Sequence, residues 1–91
     1  MRVKVFATLR PIVGSAEVPT EVLAGQTVGV LVDEMVTRWP ELRAEMLDSN
    51  GGLLRRIQIF VNGRSVRYLD GLNTVIGEND NITIFPPVGG G

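Results

Sequence analysis

One segment of this chain, and only one, carries the period of a long helix, and it lies between segments that alternate in twos. In "AGQTVGVLVDEMVTRWP", Val28, Leu31, Val32, Met35, Val36 and Trp39 recur at helical offsets. Thr27 offers its hydroxyl as an N-cap, and Pro40 ends the run. Gly29 weakens this helix slightly and predicts a close approach of another segment. With a single helix in a chain of 91 residues, its apolar stripe is expected to be core and not a groove for a partner helix.

The flanking segments have the period of half-buried strands. "RVKVFATLR" sets Val3, Val5, Ala7 and Leu9 against Arg2, Lys4, Phe6, Thr8 and Arg10, and predicts a first strand. Pro11 and Gly14 mark a turn, after which "AEVPTEV" predicts a second strand that Pro19 pushes toward a sheet edge. Beyond the helix, "ELRAEMLDSNGG" reads as a short helical turn closing in a loop. A third strand begins near Arg56, with Ile57, Ile59 and Val61 on one side. Asn62-Gly63 is the preferred pair for a tight hairpin, because both positions tolerate positive φ, and the short "RSVRYL" returns. One helical turn is expected at Leu72 to Ile76, and "NITIFPP" supplies a last strand that Pro86 and Pro87 terminate.

The order strand, strand, helix, strand, strand, strand implies an α+β fold, with one mixed sheet of about five strands and one main helix across one face. A hairpin followed by a crossover helix places the closing strand parallel to the first. That is the β-grasp, or ubiquitin-like, arrangement. It is expected to occupy residues 1–86, leaving 87–91 as a flexible diglycine tail.

A sheet covered by one helix should be polar on its other face, and Arg2, Lys4, Arg56, Gln58 and Thr83 obey that rule. The three phenylalanines do not. Phe6, Phe60 and Phe85 all fall on the outward phase of strands that are neighbours in a β-grasp sheet, so their rings should cluster. An exposed aromatic cluster rimmed by arginines has the character of a partner-docking surface. The competing expectation is that the loop from Leu69 to Ile76 folds over the rings as a minor core.

Little catalytic chemistry is available. The chain has no cysteine and no histidine, which removes thiolate nucleophiles, disulfides and the commonest general base and metal ligand. No phosphate-cradling Gly-Lys-Ser/Thr motif occurs. Asp33-Glu34 is expected on the solvated side of the helix, and "NGG" at Asn50 to Gly52 as a plain loop in preference to an anion nest. A net charge of −1 gives no electrostatic case for nucleic acid or an anionic membrane. No apolar run has the length of a membrane span, and a cytoplasmic location is expected.

The end of the chain is more specific. The run "GENDNITIFPPVGGG", taken with "MRVKVFATLRPIVG", resembles the ThiS/MoaD family of ubiquitin-like sulfur carriers, which close with a last strand, a proline-containing bend and a Gly-Gly terminus. The segment from Val61 onward further resembles the branch holding CysO-type carriers and archaeal MoaD-like modifiers. The resemblance implies that the Gly91 carboxylate is adenylated with ATP by a ubiquitin-activating-type enzyme, MoeB/ThiF-like, and converted to a thiocarboxylate. Sulfur then passes to an acceptor enzyme, such as the molybdopterin synthase large subunit or a cysteine synthase-like protein. No cofactor is implied for this chain, since the partner holds the nucleotide. Gly89 and Gly90 would thread the tail where a Cβ would collide, while Pro86 and Pro87 stiffen its base.

Two rival readings stand beside the carrier. A ubiquitin-like modifier conjugated through Gly91 to substrate lysines would begin with the same adenylate. A passive interaction module with an unimportant tail would not.

Overall fold

The computed structural model describes residues 2–86. The expected tail, 87–91, lies outside the described residues. Strand β1 (Arg2–Val5) pairs antiparallel with β2 (Glu17–Pro19) and parallel with β5 (Ile82–Phe85). Strand β3 (Gln58–Val61) pairs antiparallel with both β5 and the two-residue β4 (Arg64–Ser65). The order β2-β1-β5-β3-β4 makes β5 central, with β1 and β3 on either side. This is the β-grasp sheet expected from the element order. Pro19 sits on an edge strand, where its missing N–H costs no ladder bond.

Helix α2 (Val28–Arg38) buries Val28, Leu31, Val32, Met35 and Val36, the stripe read from the sequence. These join Val3, Val5, Val18, Ile59, Val61, Ile82 and Ile84 of the strands in one core. Gly29 marks the close approach its sequence position predicts: a Cβ there would lie 3.1 Å from the carbonyl oxygen of Leu72, tighter than an ordinary contact. The Thr27 hydroxyl accepts from the Val30 N–H at 3.3 Å and caps the helix. Thr27→Ala is therefore expected to lower the stability by about 1 kcal/mol, read as a shifted urea midpoint at unchanged slope.

Three local expectations are corrected. The first strand was expected to run to Arg10, but it ends at Val5. Ala7 takes φ 51°, and Ala7–Leu9 form a single 3₁₀ turn leading into the short helix α1 (Arg10–Val13). Pro11, which cannot donate to a ladder, suits a first helical turn, and Gly14 at φ 78° closes the helix in the left-handed conformation. Leu9 still reaches the core, through helical and not strand geometry, while Ala7 is exposed.

The second correction concerns "RSVRYL". Only Arg64 and Ser65 pair in the sheet, because Ser65 Oγ accepts from the Arg67 N–H at 3.2 Å and turns Val66–Tyr68 into a 3₁₀ turn. The Arg67 guanidinium then donates to the carbonyls of Leu54, Arg55 and Ile57. The third concerns Glu34, which is not solvated like its neighbour Asp33. Its Oε1 accepts from the Glu21 N–H at 2.8 Å and lies 3.6 Å from Arg38. Helix α3 (Glu41–Met46) and the 50–52 loop follow expectation. In that loop, Asp48 Oδ1 already accepts from the N–H groups of Asn50 and Gly52, so they are not free for an external anion. No helix among the described residues is long and apolar enough to cross a membrane.

Candidate functional site

The face of the sheet opposite α2 is built in cross-strand rows. One row runs from Glu17 through Lys4, Thr83 and Phe60 to Ser65. The next pairs Phe85 with Gln58 on β3, while Phe6, one residue past β1, hydrogen-bonds its N–H to the carbonyl of Ile84. Central placement of β5 therefore puts Phe85 between the other two rings. Phe6 stacks on Phe85 at 4.5 Å between centroids and 15° between planes. Phe60 meets Phe85 edge-on at 5.5 Å and 86°. All three rings are half-buried.

The loop from Leu69 to Ile76 does not cover them. Leu72 packs beside Gly29 of α2, and Ile76 is fully buried in the core on that side of the sheet. Two of the rings, Phe60 and Phe85, instead border an open groove of about 520 Å³, lined also by Asn62, Gly63, Asn81 and Thr83. Thr83 and the two aromatic walls give it a largely apolar floor. Its far end is the tight turn that the Asn62-Gly63 pair predicts, with φ 53° and 84°.

Two features of the site escaped the sequence reading. The first is Arg10, expected on the outward phase of a long first strand. Helix α1 folds it back instead, so that its guanidinium lies 4.8 Å from the centroid of Phe6 and donates to the Val5 carbonyl at 2.8 Å. It forms a cationic lip on the aromatic cluster. The only signal was Pro11, which marks where the strand must already have ended.

The second is a polar lock at the end of the groove. Asn62 and Asn81 exchange backbone and side-chain bonds: the Asn62 N–H donates to the Asn81 carbonyl at 2.8 Å, and the Asn81 N–H donates to Asn62 Oδ1 at 2.9 Å. Asn62 Nδ2 donates to Asp80 Oδ1 at 2.8 Å, while the Gly77 N–H donates to Asp80 Oδ2 at 2.6 Å. The lock ties the β3–β4 turn to the loop that feeds β5, which holds Phe60 and Phe85 in register.

The Gly77 N–H, and then the Asn62 amide, hold the Asp80 carboxyl below its ordinary value of 3.8. A carboxyl lowered in the folded state contributes stability that is present above its unfolded value and lost as pH falls through the folded one. Folding stability is thus expected to decline as the medium is acidified below about pH 4, and Asp80→Asn to flatten that part of the profile. Urea unfolding at a series of pH values reads it; an unchanged profile in the variant contradicts the assignment.

Of the residues singled out for function, Phe6, Phe60 and Phe85 are brought together. Pro86 is buried directly after β5. Pro87, Gly89, Gly90 and Gly91 lie outside the described residues.

The ThiS family matches over residues 3–91. This chain belongs to that family. Among its relatives is small archaeal modifier protein 3 of Haloferax volcanii, 30% identical over 91 residues, covering 100% of this chain and 98% of the relative. The sulfur carrier protein CysO of Mycobacterium tuberculosis is 34% identical over 70 residues, covering 75% of each chain. A chain in the crystal structure of the Amycolatopsis orientalis BexX/CysO complex superposes with a TM-score of 0.83 at 30% identity, over 99% of this chain and 98% of that one. At the level of the family, this ThiS-family chain is a ubiquitin-like carrier or modifier and not an enzyme in its own right.

Proposed function

We propose that this chain presents its Gly91 carboxylate to an adenylating partner of the MoeB/ThiF type, which activates it with ATP. The acyl group then goes either to substrate lysines as an isopeptide or to sulfur as a thiocarboxylate. The observation that carries the reading is the position of Phe85: it is the centre of the aromatic cluster and also the last residue of β5 before "PPVGGG". Docking surface and tail are consecutive in the chain.

Phe6, Phe60 and Phe85 supply affinity, Pro86 and Pro87 end the strand and aim the tail, and Gly89 and Gly90 let it pass a narrow channel. Residues 1–86 act as the docking domain, and 87–91 as the arm. Fully extended, the five residues from Pro87 span about 16–18 Å, enough to enter another protein's cleft. The BexX/CysO complex, in which a chain of this fold is crystallised with a second protein, supports a docking role for the domain.

Conjugation is the fate favoured by relatives that match end to end, since those proteins are named modifiers. The carrier fate is supported by the likeness to CysO, with molybdopterin or cysteine synthesis as destinations for the sulfur. Both would proceed in the cytoplasm. Mass spectrometry of the chain recovered from its own cells separates them. Gly91 in isopeptide linkage to lysine establishes the modifier, and one terminal oxygen exchanged for sulfur establishes the carrier. An unmodified terminus under conditions where an added ThiF-class enzyme and ATP also release no pyrophosphate defeats both.

A further inference from the structure

The chain carries eight arginines and a single lysine, Lys4. The distinction matters for a protein with an activated acyl terminus: a guanidinium stays protonated and is a poor nucleophile, whereas an ε-amine attacks acyl groups readily once deprotonated. Lys4 is exposed on the outer face of β1. Its cross-strand neighbour Glu17 is engaged by Arg2 at 2.6 Å, so among the described residues the Lys4 ammonium has no ion pair. Its place on the sheet is equally specific. Phe6 follows two residues along, about 7 Å away, and Phe60 lies two strands over in the same row, about 10 Å away.

A stable protein interface covers roughly 800 Å² of each partner, a disc of about 16 Å radius. Any partner seated on the aromatic cluster therefore also covers Lys4. We infer that Lys4 is the acceptor for conjugation of a second copy of this chain, and that this conjugation and partner docking exclude one another. The inference rests on the activation of Gly91 proposed above.

In the step itself, the deprotonated Nζ of Lys4 attacks the carbonyl carbon of the second copy's Gly91 adenylate. A C–N bond forms, the acyl C–O bond to AMP breaks, AMP leaves with the electron pair, and the surplus proton on nitrogen passes to solvent. A docked copy has its Lys4 shielded and is not acylated. A copy already acylated carries a peptide emerging from within its docking footprint, and cannot return to the activating enzyme although its own Gly91 is free. Conjugation at Lys4 thus withdraws a copy from activation.

The full chain is incubated with the ThiF-class adenylating enzyme of the same organism and ATP, with pyrophosphate release and covalent conjugates both followed. The expected result is a conjugate whose linkage maps to Lys4 and Gly91, and which is lost in Lys4→Arg. The purified conjugate is expected to release pyrophosphate at least about tenfold more slowly, per free Gly91, than the monomer. Pyrophosphate release without a Lys4 linkage, conjugates that persist in Lys4→Arg through the Met1 amine, or a conjugate activated at the monomer's rate would each overturn this inference alone. A wild-type chain that releases no pyrophosphate overturns it together with the function on which it rests.

Discussion

Deleting Gly90 and Gly91 is expected to abolish both sulfur loading and conjugation while leaving the fold intact. The shortened chain still ends in a glycine carboxylate, that of Gly89, so chemistry is not what it loses. Its reacting group is withdrawn by about 7 Å, the length of two extended residues. A displacement of about 1 Å at a reacting centre can cost a hundredfold in rate, so activation should fall by at least about that factor. Among the described residues, the apolar core ends at Ile84, and the melting temperature should stay within about 3 °C of the wild type. Pyrophosphate release by the adenylating partner and a thermal melt, run on the same preparation, read the two quantities. Activation near the wild-type rate would show that the glycines are an idle end, as the passive-module reading holds.

Phe85→Ala is the second large effect, and it acts on docking. Phe85 alone touches both other rings, so its removal leaves Phe6 and Phe60 without the contact that joins them. A central aromatic anchor of an interface is worth about 2 kcal/mol or more, and the partner's affinity should fall by at least roughly thirtyfold. Some stability goes with it, at about 0.5–1.5 kcal/mol for each lost ring pair beyond the area effect. Phe60→Ala separates the two consequences, because it removes only the edge-on pair yet opens the same groove wall. Calorimetric titration with the adenylating partner, beside urea unfolding of each variant, gives both values. Two folded variants that bind as tightly as the wild type would remove the docking role from the aromatic face.

The clustering of Phe6, Phe60 and Phe85 was legible because side chains in a strand alternate with a period of two, and because the element order makes β1, β5 and β3 neighbours. The stripe from Val28 to Trp39 was legible for the corresponding reason in a helix, and its residues are buried except for the half-buried Trp39. The same logic failed at Ala7. Alternation continues through Thr8 and Leu9, yet a strand persists only while a neighbour supplies hydrogen bonds, and β5 ends opposite Phe6 with Pro86 next. Where a partner strand stops is a long-range fact that no local pattern carries. Glu34 was misplaced on similar grounds, since the Glu21 N–H that draws it in lies 13 residues away.

By itself, the sequence determined the order of the five strands and the main helix, the buried face of that helix, the turn at Asn62-Gly63 and the poverty of catalytic groups. All of these follow from local periodicity, backbone preference and composition. Tertiary structure alone decided the stacked and edge-on geometry of the three rings, that Arg10 swings back over Phe6, that Asn62, Asp80 and Asn81 lock the groove, and that Glu17 is engaged by Arg2 and not by Lys4. Each of those depends on which residues stand opposite one another across strands far apart in the chain, and register is set by the packing of the whole core.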